Sequence, residues 1–389
     1  MFIRIAIFTP EKESEMETIL NKYLSNSKLS ESIKPIVEKV LESKRISTTE
    51  AIELYEKAEL GLLAELSSLV CSRKNNRNIY FNKNFHIEPT NLCIYSCKFC
   101  SYHKGVNDPL SWEMSKADVI EAAKKFIGKD VTEVHITGGV HPKWTLDYYG
   151  EMVKEIKKVL PKIHVKAYSA VELEYIIKKA KLNYREGMRK LKQYGLDSIP
   201  GGGAEIFDPE VREKISHDKA SGKTWLEIHE AAHLEGIYSN ATMLYGHIES
   251  YKHRAEHMDA IRNLQDKTNG FNCFIPLKFR SENNPLSYLG EVNLTEDLRN
   301  FAISRIFFDN ITHIKAYWPM LGKENTKLAL AFGVDDIDGT IDDTTKIYSM
   351  AGAEDQKPRM TVDMLTAIIR EAGKIPVERD SLYNAIKEY

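Results

Sequence analysis

Apolar side chains recur at helical spacing along residues 13–44 and again along 49–73, where "TEAIELYEKAELGLLAELSSLVC" repeats Leu and Ala every three or four positions. This predicts two helices with no strand between them, so that residues 1–78 form an all-helical N-terminal segment. Beyond it the period changes. Short apolar runs at 85–89, 132–137, 163–168, 196–200, 237–243, 271–277, 311–317 and 332–338 alternate with amphipathic stretches. Ser115 with Asp118 predicts a capping box at the start of one helix, and Asp208–Pro209 predicts an N-cap followed by Pro in the first turn of another. Eight β-then-α units imply a parallel sheet, and eight is the number that closes a TIM-type (β/α)8 barrel, placed here at 79–340. The remainder, 341–389, reads as the loop "GTIDDTTKIYSMAGAEDQKPR" and two closing helices packed on the barrel. No internal repeat is present.

The 389 residues carry a net charge of −2, and 42% of them are hydrophobic, enough for a large core. A near-neutral balance gives no reason to expect nucleic acid or an anionic membrane as partner. No run approaches 18 apolar residues, and the opening "MFIRIAIFTP" lacks a signal-peptide pattern. It reads as an edge strand, or as sequence upstream of a start at Met16. Of five cysteines, only Cys71 and Cys273 lie outside one cluster, and both read as core residues. No disulfide framework is evident, which points to a reduced, cytoplasmic setting.

The cluster is "NLCIYSCKFCSYH", with Cys93, Cys97 and Cys100 within eight residues and His103 three further on. It directly follows the first predicted strand, where a barrel of this kind places its reactive groups. A structural zinc site needs four ligands in a closed tetrahedron. His103 would complete one, although zinc motifs usually bring paired ligands from two loops and no second pair exists. A ferredoxin-type cluster needs four thiolates. The remaining reading uses the missing fourth ligand: three thiolates hold three irons of a [4Fe–4S] cluster, and the fourth iron stays open for a substrate.

The spacing Cys-x3-Cys-x2-Cys, with Phe99 before the last cysteine, resembles the signature of the radical S-adenosylmethionine (SAM) enzymes. The resemblance implies that SAM binds the open iron and that one electron releases a 5′-deoxyadenosyl radical. It makes Gly138–Gly139 in "HITGGVHP" the site of the SAM amino group, where backbone must approach closely; the plain alternative is a turn. Ser169 and Glu172 in "AYSAVELEY" would reach the ribose or methionine end, or simply cap the next helix. Arg212, after "PGGGAEIFD", would pair with the SAM carboxylate, or lie on a solvated helix face.

Seven stretches, including "SNATMLYGHIE", "FNCFIPLKFR" and "HIKAYWPMLG", together resemble the aminofutalosine synthases of menaquinone biosynthesis; dehypoxanthine futalosine cyclase and the halves of deazaflavin (FO) synthase are near relatives. This implies addition of the deoxyadenosyl radical to 3-[(1-carboxyvinyl)oxy]benzoate, giving 6-amino-6-deoxyfutalosine, methionine and bicarbonate, with flavodoxin or ferredoxin as electron donor. SAM would be consumed. Strand alternation then nominates side chains for the pocket. His86 with Glu88, His135 with Thr137, Asn240 with Thr242, and Lys315 with Tyr317 each share a face. Lys278 and Arg280 follow the sixth strand as partners for a substrate carboxylate, Arg280 in bidentate fashion; Glu205 is a polar anchor or a helix-start carboxylate.

Overall fold

The computed structural model describes residues 10–25, 29–341, 346–353 and 358–389. The edge strand expected at the start falls mainly on 1–9, which lie outside them, as do parts of the loop expected after 340.

The N-terminal segment is helical but more divided than its pattern predicts. The stretch 13–44 is two helices, α1 (Pro10–Leu24) and α2 (Lys34–Leu41), the second opening with Pro35 in its first turn. The stretch 49–73 is also two, α3 (Thr48–Lys57) and α4 (Leu60–Asn75). The chain turns extended at Ala58 and Glu59, a break that continuous apolar spacing conceals. Ser47 caps α3, accepting from the Glu50 N–H while the Glu50 carboxylate accepts from the Ser47 N–H. Leu62, Leu63, Leu66 and Leu69 of α4 are buried in a core that runs on through the sheet to Leu365 and Ile369.

All eight expected strands are present: β2 (Asn84–Ile87), β3 (Glu133–Ile136), β4 (His164–Ala167), β5 (Ser198–Ile199), β6 (Tyr238–Tyr245), β7 (Phe271–Lys278), β8 (His313–Ala316) and β9 (Asp336–Ile337). They run parallel in chain order, with helices between them. The ladder does not close β9 onto β2. Instead β9 pairs with β1 (Asn78–Phe81), which pairs in turn with β10 (Ile375–Arg379). The sheet curls as a partial barrel, and side chains join its ends. Thr340 Oγ1 donates to the Asn84 carbonyl at 2.9 Å, and the Ile341 N–H reaches Asn84 Oδ1 at 3.1 Å.

The C-terminus corrects the sequence reading. Among the described residues there is one closing helix, Val362–Glu371, and in place of the second stands a hairpin of β10 with β11 (Ala385–Glu388). Its strands escape an apolar pattern because β10 buries charge. Arg379 pairs with Asp336 through two hydrogen bonds of 3.0 and 2.7 Å, and Tyr383 donates to the same carboxylate at 2.6 Å. Next to it, Asp335 takes Arg305 and, at 2.5 Å, His313. The hairpin is therefore fastened to the sheet by the pairing of β10 with β1 and by the buried Arg379–Asp336 ion pair.

Removing one partner of such a pair leaves a buried charge alone. Arg379→Met is expected to lower unfolding free energy by about 3 kcal/mol. Asp336→Asn/Arg379→Met should cost less than Arg379→Met alone, as measured by urea unfolding.

Candidate functional site

A cavity of about 290 Å³ opens at the C-terminal ends of the strands. Cys93, Cys97 and Cys100 line it, with Phe99 between the last two. The loop that carries them is clamped from three sides. Its own return closes it: the Lys104 N–H donates to the Asn91 carbonyl at 2.8 Å, and the Cys93 N–H to the Lys104 carbonyl at 3.1 Å. From β3, the Val140 N–H points at Cys93 Sγ at 3.4 Å. From the segment after helix Pro209–Ser216, Asp218 accepts from both the Ser96 N–H and hydroxyl at 2.9 Å.

Burial pushes the Cys97 thiol up to about 12, although Lys219 beside it works the other way. Burial also raises Cys93, partly offset by the Val140 N–H. At Cys100 burial acts upward too, but hydrogen bonds from His103 outweigh it and the thiol falls below its ordinary value. His103 thus serves Cys100; its Nδ1 also lies 3.1 Å from the Cys100 carbonyl. Among the described residues no three His, Cys, Asp or Glu side chains converge on a single metal ion. Three thiols that share one cavity without converging fit a multi-iron body, which spaces its ligands apart and here would keep one iron free of protein.

Gly138 and Gly139 line the cavity, yet their need for glycine comes from the protein itself. A Cβ on Gly139 would lie 2.2 Å from the Leu92 carbonyl oxygen, and one on Gly138 2.6 Å from that of Thr90. The pair is where the β3 loop touches the backbone of the cysteine loop, and the Gly139 N–H donates to the Thr90 carbonyl at 2.8 Å.

Ser169 lines the cavity and caps helix Ala170–Lys179, while Glu172 bonds back to the Ser169 N–H and hydroxyl at 2.7 and 2.8 Å. Glu172 is a capping-box residue and does not reach the cavity wall. Burial raises its carboxyl to about 7.

Several nominated side chains face elsewhere. Arg212 is buried with its guanidinium taken by the carbonyls of Gly203, Ala204, Ile206 and Ala220, so it pins the glycine-rich turn and has no fork left for a ligand carboxylate. Lys278 turns outward to Asp297 at 2.9 Å and the Val292 carbonyl at 2.8 Å. Glu88 accepts from the Lys346 and Ile347 N–H groups at 2.8 and 3.2 Å, fastening the C-terminal segment across the mouth. His86 stands edge-on to His135, ring centres 4.9 Å apart, behind the cavity wall.

His135, Thr137, Asn240, Thr242, Glu205, Arg280, Lys315 and Tyr317 do line it. Thr242 donates to the Gly201 carbonyl at 2.6 Å. Arg280 donates to the Gly352 carbonyl at 2.5 Å and pairs with Glu291 at 3.2 Å. The sequence reading missed Lys219, Lys166 and Asp338. Lys219 is paired with Glu205 at 2.5 Å and stands 5.2 Å from the Phe99 ring. Burial disfavours its charge, but Cys97 and Glu205 outweigh that and raise it above the ordinary lysine value. Lys166 and Asp338 were visible in principle, being charged residues in alternation with other polar ones on strands; Lys219 carries no such signal.

The model of the radical SAM superfamily matches residues 87–261, and that of the CofH/MqnC C-terminal region matches 268–388. The chain is 43% identical over 357 residues to the aminodeoxyfutalosine synthase of Thermus thermophilus, covering 91% of this chain and 95% of that protein. It is 34% identical over 355 residues to the cyclic dehypoxanthine futalosine synthase of Streptomyces coelicolor, covering 90% and 88%. Its fold matches the FeFe-hydrogenase maturase HydG from Carboxydothermus hydrogenoformans with a TM-score of 0.71 at 16% identity, over 96% of this chain and 85% of that one.

Gly139→Ala is expected to displace the cysteine loop, so that iron–sulfur reconstitution fails together with SAM binding. A variant that takes up full iron and loses SAM affinity alone would show that the glycine serves the ligand instead. At Glu172 the folded-state carboxyl is raised from 4.5 to about 7. Its contribution to stability is therefore complete below pH 4.5 and lost as pH rises through 7. Glu172→Gln should flatten the pH dependence of unfolding in that window, measured by denaturant titration at each pH.

Proposed function

Since this chain belongs to the radical SAM superfamily and carries a CofH/MqnC-type C-terminal region, it is an enzyme, and we propose that it is an aminofutalosine synthase. In this reading it joins the 5′-deoxyadenosyl group of SAM to 3-[(1-carboxyvinyl)oxy]benzoate, and with one water consumed forms 6-amino-6-deoxyfutalosine, methionine, bicarbonate and a proton. The observation that supports this reaction over its siblings is the higher identity to the Thermus aminodeoxyfutalosine synthase than to the Streptomyces cyclic dehypoxanthine futalosine synthase.

Members of the superfamily generally use a [4Fe–4S] cluster and SAM. When bound, the cluster supplies the electron that cleaves SAM to the deoxyadenosyl radical. Cys93, Cys97 and Cys100 would hold the cluster, with His103 supporting Cys100. Phe99, Gly138, Gly139 and Ser169 form the adjoining wall for SAM. Lys219 replaces Arg212 as partner for the SAM carboxylate, because its ammonium faces the cavity while Arg212 is saturated by carbonyls. Asn240 on β6 supplies a polar contact. Arg280 lies two residues beyond β7, near the mouth, where it would take the carboxylate attached to the reacting vinyl carbon. Tyr317 and Tyr348, ring centres 4.9 Å apart, and the Glu88-anchored segment behind Tyr348 exclude water from a radical reaction. The reducing electron would come from a small donor such as flavodoxin or ferredoxin. No helix among the described residues is long and apolar enough to cross a membrane.

The test is anaerobic reconstitution with iron and sulfide, followed by reduction in the presence of SAM and 3-[(1-carboxyvinyl)oxy]benzoate. Adenosyl carbon should appear in a coupled product, and Cys100→Ala should form none. Free 5′-deoxyadenosine as the main product would favour a sibling reaction that abstracts hydrogen.

A further inference from the structure

A barrel interior of this kind is ordinarily packed with branched apolar side chains. Here one half is not. His135 of β3 stands in register with Lys166 of β4, and Lys315 of β8 with Asp336 of β9. His135, Lys166, Lys315 and Asp338 all line the cavity. They lie within the strands or one residue past them, deeper than Arg280, which sits two residues beyond its strand. On the opposite side, β6 and β7 contribute Leu244, Ile275, Leu277 and Phe279 beside the polar Asn240 and Thr242. One end of the cavity thus carries paired charges, and the facing side is largely apolar.

The floor charges are balanced but not exhausted. Lys166 Nζ bonds Glu133 at 2.5 Å, and Lys315 Nζ bonds Asp338 at 2.8 Å with Asp336 at 3.4 Å. An ammonium has three donors, so each lysine keeps capacity for an incoming acceptor. His135 adds to this: its Nε2 is buried without a hydrogen-bond partner among the described residues. Burial, with Lys166 and His86 nearby, holds the ring well below its ordinary value and therefore neutral. A buried polar atom without a partner at the foot of a cavity marks a place for a ligand atom.

We propose that Lys166 and Lys315, with His135, form a carboxylate-binding floor for an aryl carboxylate whose ring lies on the Leu244–Ile275–Leu277–Phe279 wall. This rests on the reading above and assigns the two ends of its acceptor. The ring carboxylate goes down to the floor, and the vinyl ether, with its own carboxylate, points up toward Arg280 and the cysteine loop. The arrangement selects for a carboxylate on the ring at the far side from the reacting carbons. It explains why the lysines occur inside strands rather than at the rim.

The test uses the reconstituted holoenzyme and anaerobic calorimetry. Four ligands are compared in two pairs: 3-[(1-carboxyvinyl)oxy]benzoate against the same molecule without its ring carboxylate, and 3-hydroxybenzoate against phenol. Loss of the ring carboxylate should weaken binding about tenfold or more in the wild type. The variant Glu133→Gln/Lys166→Gln removes both charges together, so no lone charge is left buried. It should lose most of the preference for the acceptor over its decarboxylated analogue, with iron–sulfur absorbance and SAM affinity retained. Lys315→Gln/Asp338→Asn is the second variant should the first not fold, with the same expectation. A wild-type enzyme indifferent to the ring carboxylate, or a folded variant that keeps the full preference, overturns the assignment. If 3-hydroxybenzoate binds over phenol in a Lys166-dependent way but the carboxyvinyl ether is neither bound nor converted, the floor stands and the proposed reaction falls. Conversion of the ether with no carboxylate preference leaves the reaction standing and removes the floor.

Discussion

The site depends on one contact between two pieces of backbone. The loop after β3 reaches the cysteine loop so closely that no side chain fits at Gly139, and the Gly139 N–H bonds the Thr90 carbonyl there. That contact fixes the base of the cysteine loop against the barrel. The Val140 N–H then meets Cys93, and the far side of the loop docks on Asp218. Three thiols from eight residues of irregular chain hold their positions because neighbouring strand ends grip them. Rigid strand ends carrying adaptable loops are the general advantage of this architecture.

The second constraint is electrostatic. Every cation on the cavity wall has a carboxylate beside it: Lys166 with Glu133, Lys315 with Asp338, Lys219 with Glu205, and Arg280 with Glu291. Paired charges can be kept buried at moderate cost, whereas single ones cannot. Burial alone would raise Glu133 and Asp338, but the lysines outweigh it and both stay well below the ordinary carboxylate range. The cavity therefore offers ammonium donors for an anionic ligand without carrying a net charge that would destabilise the fold. The C-terminal hairpin belongs to the same system, since Arg379 and Tyr383 hold Asp336 next to Lys315.

The glycine-rich turn after β5 shows how a motif can mislead about its parts. Its position at the cavity was legible from the strand it follows. The use of Arg212 was not: a cation near an expected anionic ligand reads as a binding residue, yet here it satisfies four carbonyls of an irregular turn that would otherwise be buried without donors. Lys219, unremarkable in its polar stretch, has its ammonium at the wall instead.

What the sequence determined by itself was local and periodic. The three-cysteine spacing lies within eight residues, the capping box at Ser115 spans four, and the order of eight strands follows from period and punctuation. Tertiary structure decided what depends on partners far apart in the chain. Lys166 and Glu133 meet across 33 residues, Arg379 and Asp336 across 43, and Asn84 meets Thr340 across 256. It also decided that a hairpin of the charge-burying β10 and the exposed β11, not a second helix, follows Val362–Glu371. A charge in a sequence looks solvated until a counter-charge is known, and period cannot supply the counter-charge. That is why the cysteines were readable as a site from the start, while the lysines under them became visible only when the sheet curled and brought their carboxylates alongside.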